Sequence, residues 1–259
     1  MTKTAEHFPQ ILVFDDAELV ARAAASCFVE LAREAIAARG RFSVALAGGS
    51  TPKRAYQLLA SDEFKDHVEW ERTHVFFGDE RAVPPTETDS NYRMADEALL
   101  SRVALPSRNV HRIMGEGDTA AGARLYEDEL QTFFTGQQWP RFDLVLLGMG
   151  DDGHTASLFP GTEALAEQRD WVVHLWVEKL KAYRITLSVP AINHAAHVVF
   201  MVTGAGKAER VAEVINAKKD TPPLPSQLIH PADGTLRWFL DRAAAANLPQ
   251  TLAQASDET

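Results

Sequence analysis

The sequence predicts a doubly wound α/β domain, with helices on both faces of a mostly parallel sheet. Three observations carry that expectation. Short apolar runs such as Phe142-Asp143-Leu144-Val145-Leu146-Leu147 alternate along the chain with stretches of helical character. Runs of this kind, rich in β-branched and large side chains, suit strands buried on both faces, as in parallel sheets. Several of them break at their carboxyl ends into glycine-rich turns, on the edge where open α/β sheets bind ligands. No low-complexity linker and no internal repeat divides the 259 residues, so residues 1–259 read as a single domain, with a core over about 11–240 and a polar tail after about 249 that is expected to fray.

The elements follow in order. Ile11-Leu12-Val13-Phe14 is a strand, and Asp15-Asp16 supplies a cap and an acidic first turn for a helix reaching about residue 38, closed by Arg39-Gly40. Residues 42–47 form the next strand, followed by the turn Gly48-Gly49-Ser50-Thr51-Pro52 and a helix through residue 60. His74-Val75-Phe76-Phe77 is a strand that runs into a charged, proline-containing loop over residues 78–85. Ser90-Asn91 caps a helix to about residue 102, residues 110–113 are a short strand candidate, and residues 119–134 form a helix ending at Gly136. After the strand at 142–147 come two more, at 171–176 and 184–188, the second stopped by Pro190. Residues 197–202 are a buried strand turning at Thr203-Gly204-Ala205-Gly206-Lys207 into a helix to about residue 216, and residues 221–225 are a loop. Residues 236–240 are the last strand, and an alanine-rich helix follows it.

Composition narrows the function. Apolar residues make up 46% and charged residues 24%, an ordinary soluble balance, and 26 basic against 36 acidic side chains leave a net charge of -10. Such a surface repels nucleic acid and acidic membranes, and no dense basic cluster offsets it, so neither is expected as a partner. An anionic small substrate would need a local basic pocket. The single cysteine, Cys27, lies in the first helix and reads as a small buried residue; one cysteine forms no internal disulfide, which fits a reducing compartment. The first seven residues have no apolar core of a signal peptide, and no apolar run approaches the roughly 20 residues that span a bilayer. A cytoplasmic protein, monomeric or weakly self-associating, is expected.

Four loops offer chemistry. In the first, Gly48 and Gly49 let the backbone expose its N–H groups, Ser50 and Thr51 add hydroxyls, and a helix N-terminus follows; this is either a phosphate site or a plain strand-to-helix turn with a serine cap. It is not a Walker A loop, because no Gly-Lys-Ser/Thr closes it. In the second, Gly78-Asp79-Glu80-Arg81, a carboxylate could act as base or hold a hydroxyl and Arg81 could grip a phosphate, or the group is a solvated ion cluster. The third, Gly148-Met149-Gly150-Asp151-Asp152-Gly153-His154, matches a dinucleotide fingerprint in its glycines, but two aspartates would repel a pyrophosphate and the loop follows several earlier strand–helix units. A better reading pairs Asp152 with His154, since imidazole is the usual general base near neutral pH and a carboxylate fixes its tautomer; the alternative is a structural histidine in a turn. In the fourth, Lys207 could reach a phosphate as a point charge, and Arg184 is a weaker candidate of the same kind. Metal binding is not expected: the nine histidines include no His-Glu-x-x-His, and His194 and His197 enter a strand rather than share a helix face.

Taken together, these loops resemble the 6-phosphogluconolactonase family over most of the chain. The match is strongest in Leu46-Ala47-Gly48-Gly49-Ser50-Thr51-Pro52, in residues 76–85 with Ser90-Asn91, and in residues 148–161. The resemblance implies a three-layer α/β/α sandwich, shared with glucosamine-6-phosphate deaminase and ribose-5-phosphate isomerase. It implies hydrolysis of 6-phospho-D-glucono-1,5-lactone in the oxidative pentose phosphate pathway, without metal, nucleotide or other cofactor. It makes His154 the activator of water with Asp152 beside it, and puts Gly49, Ser50, Thr51, Asp79, Arg81, Arg184 and Lys207 around the sugar phosphate. Deaminases have similar acids and a histidine in matching loops, but also a glutamate five residues after that histidine. Here the position is Phe159, which disfavours a ring-opening isomerase.

Overall fold

Every residue of two strands, Phe42–Leu46 and Leu144–Leu147, is buried. Strands of that kind belong in the middle of a sheet covered on both faces. The computed structural model, which describes residues 9–216, 222–249 and 254–255, puts them side by side. In chain order the elements are β1 (Gln10–Phe14), α1 (Ala17–Arg39), β2 (Phe42–Leu46), α2 (Ser50–Leu59), β3 (Thr73–Phe77), β4 (Asp79–Arg81), α3 (Asn91–Ala98) and α4 (Thr119–Phe133). Then come β5 (Leu144–Leu147), β6 (Val172–Val177), β7 (Ala182–Leu187), α5 (Val189–Asn193), β8 (His197–Val202), α6 (Ala208–Ile215), β9 (Thr235–Asp241) and β10 (Gln254–Ala255).

Seven strands form one sheet in the order β10-β1-β9-β8-β5-β2-β3, and every pair in it is parallel. Helices flank this sheet, giving the three-layer α/β/α architecture. The remaining strands β4, β7 and β6 make a separate antiparallel sheet, an arrangement that the expectation of a single sheet did not contain.

Helix α1 shows why these residues fold as they do. Asp16 accepts the N–H of Leu19 at 2.9 Å, and Gly40, at φ 77°, closes the other end by donating to Ile36 O. Its buried stripe of Val20, Ala24, Phe28, Leu31, Ala35 recurs at helical spacing, and its alanines let the helix lie close to the sheet. Cys27 is buried in this helix, as expected, and burial pushes its thiol pKa up. Asp143, just before β5, accepts from Ser43 N at 2.7 Å and Ser43 Oγ at 2.9 Å and pairs with Arg39, which ties the start of β5 to β2.

Four expectations are corrected. Residues 79–81 are strand β4, not loop, because they pair with β7. Residues 110–113 form no strand; Val110 makes a single bridge to Val75. The helix at residue 91 ends at Ala98, and a separate turn of 3-10 helix covers Leu100–Arg102. Among the described residues no helix follows β9: residues 242–247 are a series of turns before Pro249. Of the tail, Gln254–Ala255 pairs with β1. The rest of it, the first seven residues and Thr221 lie outside the described residues.

Candidate active site

The loops that follow β2, β3, β5 and β8 meet at the carboxyl edge of four adjacent strands and line one cavity of about 280 Å³. That volume lies at the small end of ligand pockets, roughly 300–1,000 Å³. Gly49, Ser50 and Thr51 line it from the first loop, Asp79 and Arg81 from the second, His154 from the third and Lys207 from the fourth.

His154 Nδ1 lies 2.5 Å from Asp152 Oδ1. A carboxylate only accepts, so Nδ1 carries a proton, and in the neutral ring the lone pair is on Nε2. Asp152 does not line the cavity; it stands behind the imidazole, and its other oxygen accepts from Lys179 Nζ at 2.9 Å. Burial pushes the Asp152 carboxyl up, but hydrogen bonds from Lys179 and His154 outweigh it and hold the group well below the usual carboxylate range. The ring stacks on Phe159 with centroids 4.2 Å apart. It also lies directly over Gly150, where a Cβ would come within 2.0 Å of Cε1 and Nδ1.

The first loop is an anion cradle in form. Gly49 is the residue before α2 and Ser50 its first residue, so Ser50 is not the cap, and Pro52 is the third helical residue rather than the first. Its missing N–H still costs nothing in the first turn. The loop is held from below by Tyr56, whose buried hydroxyl donates to Ala47 O and accepts from Ala47 N, both at 2.9 Å. Tyr126 does the same for Phe77, one residue before Gly78, again at 2.9 Å on each side. Thr51 Oγ1 meets Thr203 Oγ1 at 2.8 Å, which joins the first loop to the fourth. Asp241 accepts the Gly204 N–H and so shapes the turn that carries Lys207.

Asp79 is buried on the cavity floor with both carboxylate oxygens taken: Ser157 Oγ donates at 2.6 Å and Asn91 Nδ2 at 3.1 Å. Asn91 also donates to Asp79 O at 2.9 Å, while its own Oδ1 has no partner and faces Gly48, where a Cβ would be 2.0 Å away. Arg81 and Arg184 are direct cross-strand partners of β4 and β7. Like charges so placed repel, and an anion between them would relieve that. Burial, with Arg81 next, lowers the Arg184 pKa. Arg184 itself does not line the cavity, so it is the one expected binding residue standing apart from it.

Lys179, Ser157, Asn91, Thr203 and the two tyrosines escaped the sequence reading as parts of the site. Asn91 was legible as a helix cap and Ser157 as a neighbour of His154, each within a stretch that resembles the family, but neither with a role in the site. For the tyrosines no sequence signal exists beyond an aromatic residue in a helix. Of the expected bystanders, His194 Nδ1 is taken by Pro190 O and His197 Nδ1 by Thr235 Oγ1. Among the described residues no group of three or more His, Cys, Asp or Glu side chains is placed to hold a metal, and no helix is long and apolar enough to cross a membrane.

A parallel α/β sheet with a histidine–aspartate pair and an N-terminal helix cradle at one carboxyl edge defines an α/β protein built around a small-ligand site. The chain belongs to the family of glucosamine-6-phosphate isomerases and 6-phosphogluconolactonases, whose model matches residues 15–238. It is 43% identical to a 6-phosphogluconolactonase of Nostoc sp., over 96% of this chain and 99% of that protein, and 41% identical to one of Synechocystis sp., over 93% and 98%. Among solved structures it is similar to the 6-phosphogluconolactonase of Trypanosoma cruzi, with a TM-score of 0.83 at 31% identity over 94% of this chain and 99% of that one. A monomeric glucosamine-6-phosphate deaminase, at 19% identity and a TM-score of 0.77 over 92% of this chain and 99% of that one, shares the fold.

Proposed function

We propose that this protein is a 6-phosphogluconolactonase: it hydrolyses 6-phospho-D-glucono-1,5-lactone to 6-phosphogluconate, a step of the pentose phosphate pathway, with His154 as general base. The observation that carries the mechanism is the 2.5 Å contact between His154 Nδ1 and Asp152 on the wall of a cavity that also gathers Ser50, Thr51, Arg81 and Lys207. Neutral His154 takes a proton at Nε2 from water as its oxygen attacks the C1 carbonyl. Asp152 steadies the imidazolium that forms. The oxyanion at C1 draws on loop N–H groups or on Arg81, and the tetrahedral intermediate collapses by breaking the bond from C1 to the ring oxygen, which receives the proton back from His154. Lys207, with Gly49, Ser50 and Thr51 at the start of α2, grips the distant phosphate, and that binding energy orients the ring. Asp79, whose oxygens each keep a lone pair beyond the bonds from Ser157 and Asn91, accepts from a sugar hydroxyl, and Arg184 adds a second positive charge beside Arg81 on the neighbouring strand.

Deaminases need an acid where this chain has Phe159, and Phe159 is packed flat on the imidazole. An apolar wall there suits attack by water and offers nothing to open a sugar ring. A cytoplasmic setting, with no nucleic acid or membrane partner, accords with the acidic surface and the buried, unpaired Cys27. His154→Ala is expected to lower turnover on the lactone, measured above its spontaneous hydrolysis, by at least about 10²-fold, the lower end for a general base. Turnover near the parent's would remove His154 from the mechanism, and ammonia release from glucosamine 6-phosphate would restore the deaminase reading.

A further inference from the structure

We propose that Asp151 competes with the substrate's phosphate for Lys207 and so sets how tightly the site holds phosphorylated ligands. The inference rests on the reading of Lys207 as a phosphate ligand. Lys207 lines the cavity, yet its ammonium is turned onto the Asp151 carboxylate, which does not line it. The two side chains differ in surroundings: Asp151 is 82% exposed and Lys207 26%. The backbone that carries this carboxylate is tied to α6, because Arg210 Nε, one helical turn beyond Lys207, donates to Asp151 O at 2.9 Å. No other hydrogen bond or ion pair occupies the Lys207 ammonium among the described residues.

A phosphate dianion in the cradle at the start of α2 therefore finds the Lys207 ammonium already paired with Asp151. It must draw the ammonium away from Asp151, or share it, and in both cases the aspartate's charge opposes binding. An ion pair this exposed is weak, so the opposition amounts to a few-fold in affinity and not to orders of magnitude. A site built in this way keeps its selectivity for phosphate while loosening its grip on a phosphorylated product.

The test is Asp151→Asn, with the inhibition constant of 6-phosphogluconate measured at low ionic strength. The constant is expected to fall about two- to five-fold, and the gain should fade at about 1 M salt, where the screening length is near 3 Å. The KM for unphosphorylated D-glucono-1,5-lactone should not move. Asp62→Asn, which removes another exposed, lysine-paired carboxylate far from the site in sequence, should leave the inhibition constant unchanged and so separates local competition from net charge. In a Lys207→Met background, Asp151→Asn should no longer tighten binding. An unchanged or raised constant in Asp151→Asn, or a gain that persists without Lys207, overturns the inference. If instead Lys207→Met leaves the preference for phosphorylated over unphosphorylated ligands intact, the phosphate role of Lys207 fails. A loss of that preference without tightening in Asp151→Asn leaves the role standing and sinks only the competition.

Discussion

At the scale of single residues, the working geometry depends on one missing side chain. The His154 ring occupies the space above Gly150, so any Cβ there must push the imidazole off its contact with Asp152. Gly150→Ala is expected to cut kcat by at least about 10²-fold, as losing the proposed base itself would, while KM changes little because the proposed phosphate cradle is untouched. Steady-state kinetics beside a circular dichroism spectrum check this, and an active Gly150→Ala enzyme would mean that the catalytic imidazole works from another position. His154 and Asp152 were legible in the sequence because they sit two residues apart in one turn. Their supports were not. Ser157 reaches across 78 residues to Asp79 and Lys179 across 27 to Asp152, and no local pattern records a contact made only when distant strands align.

At the scale of elements, Glu80 explains why α3 begins where it does. Its Oε1 accepts from Arg81 N and Asn91 N, and its Oε2 from Tyr92 N and Ser90 Oγ, over 2.7–3.0 Å. Burial pushes the Glu80 carboxyl up despite these donors, but four donors require an acceptor on both oxygens, which only the ionised form supplies in full. Glu80→Gln turns one oxygen into a donor that faces two backbone N–H groups at the Oε1 position or the Tyr92 N–H at the Oε2 position, where only the Ser90 hydroxyl can turn to accept. Leaving the amide and a facing N–H unpaired should cost about 2–6 kcal/mol, at roughly 1–3 kcal/mol each, read as a lower denaturation midpoint. Because Asn91 then loses its seat, kcat/KM should fall as well; a variant as stable as the parent would show that the cap is ornamental.

The same carboxylate explains why β4 was read as a charged loop. Asp79-Glu80-Arg81 has no apolar alternation, and its two acids are buried by partners the sequence does not name. Central strands such as β2 and β5 were plain, because burial on both faces leaves an unbroken apolar run. The alanine-rich stretch after β9 erred in the other direction. Helix propensity is high there and Asp241 even caps the start by accepting the Ala244 N–H, but Pro249 arrives within two turns, so too few residues remain to offset nucleation.

At the scale of the molecule, the site lies where strand order makes the chain diverge. From β2 the chain proceeds outward to β3, and from β5 it proceeds to β8 on the other side. The crevice between β2 and β5 is thus a switch point, and the two glycine loops open away from each other above it. The loops after β3 and β8 flank it, so four separated segments of one chain end around one cavity. They touch one another through few bonds, such as Thr51 to Thr203 and Ser157 to Asp79. A ligand that engages all four supplies links the chain lacks, and it binds only the folded state. At 100 times its dissociation constant, 6-phosphogluconate should stabilise the fold by about 2.7 kcal/mol. For a domain of this size that is a rise in melting temperature of about 5–10 °C, at roughly 2–4 °C per kcal/mol. D-Gluconate at the same concentration lacks the phosphate that, on the proposed reading, joins the first and fourth loops, and should raise it far less. Equal shifts for the two sugars, seen by differential scanning fluorimetry, would mean that the phosphate end of the cavity contributes nothing to binding.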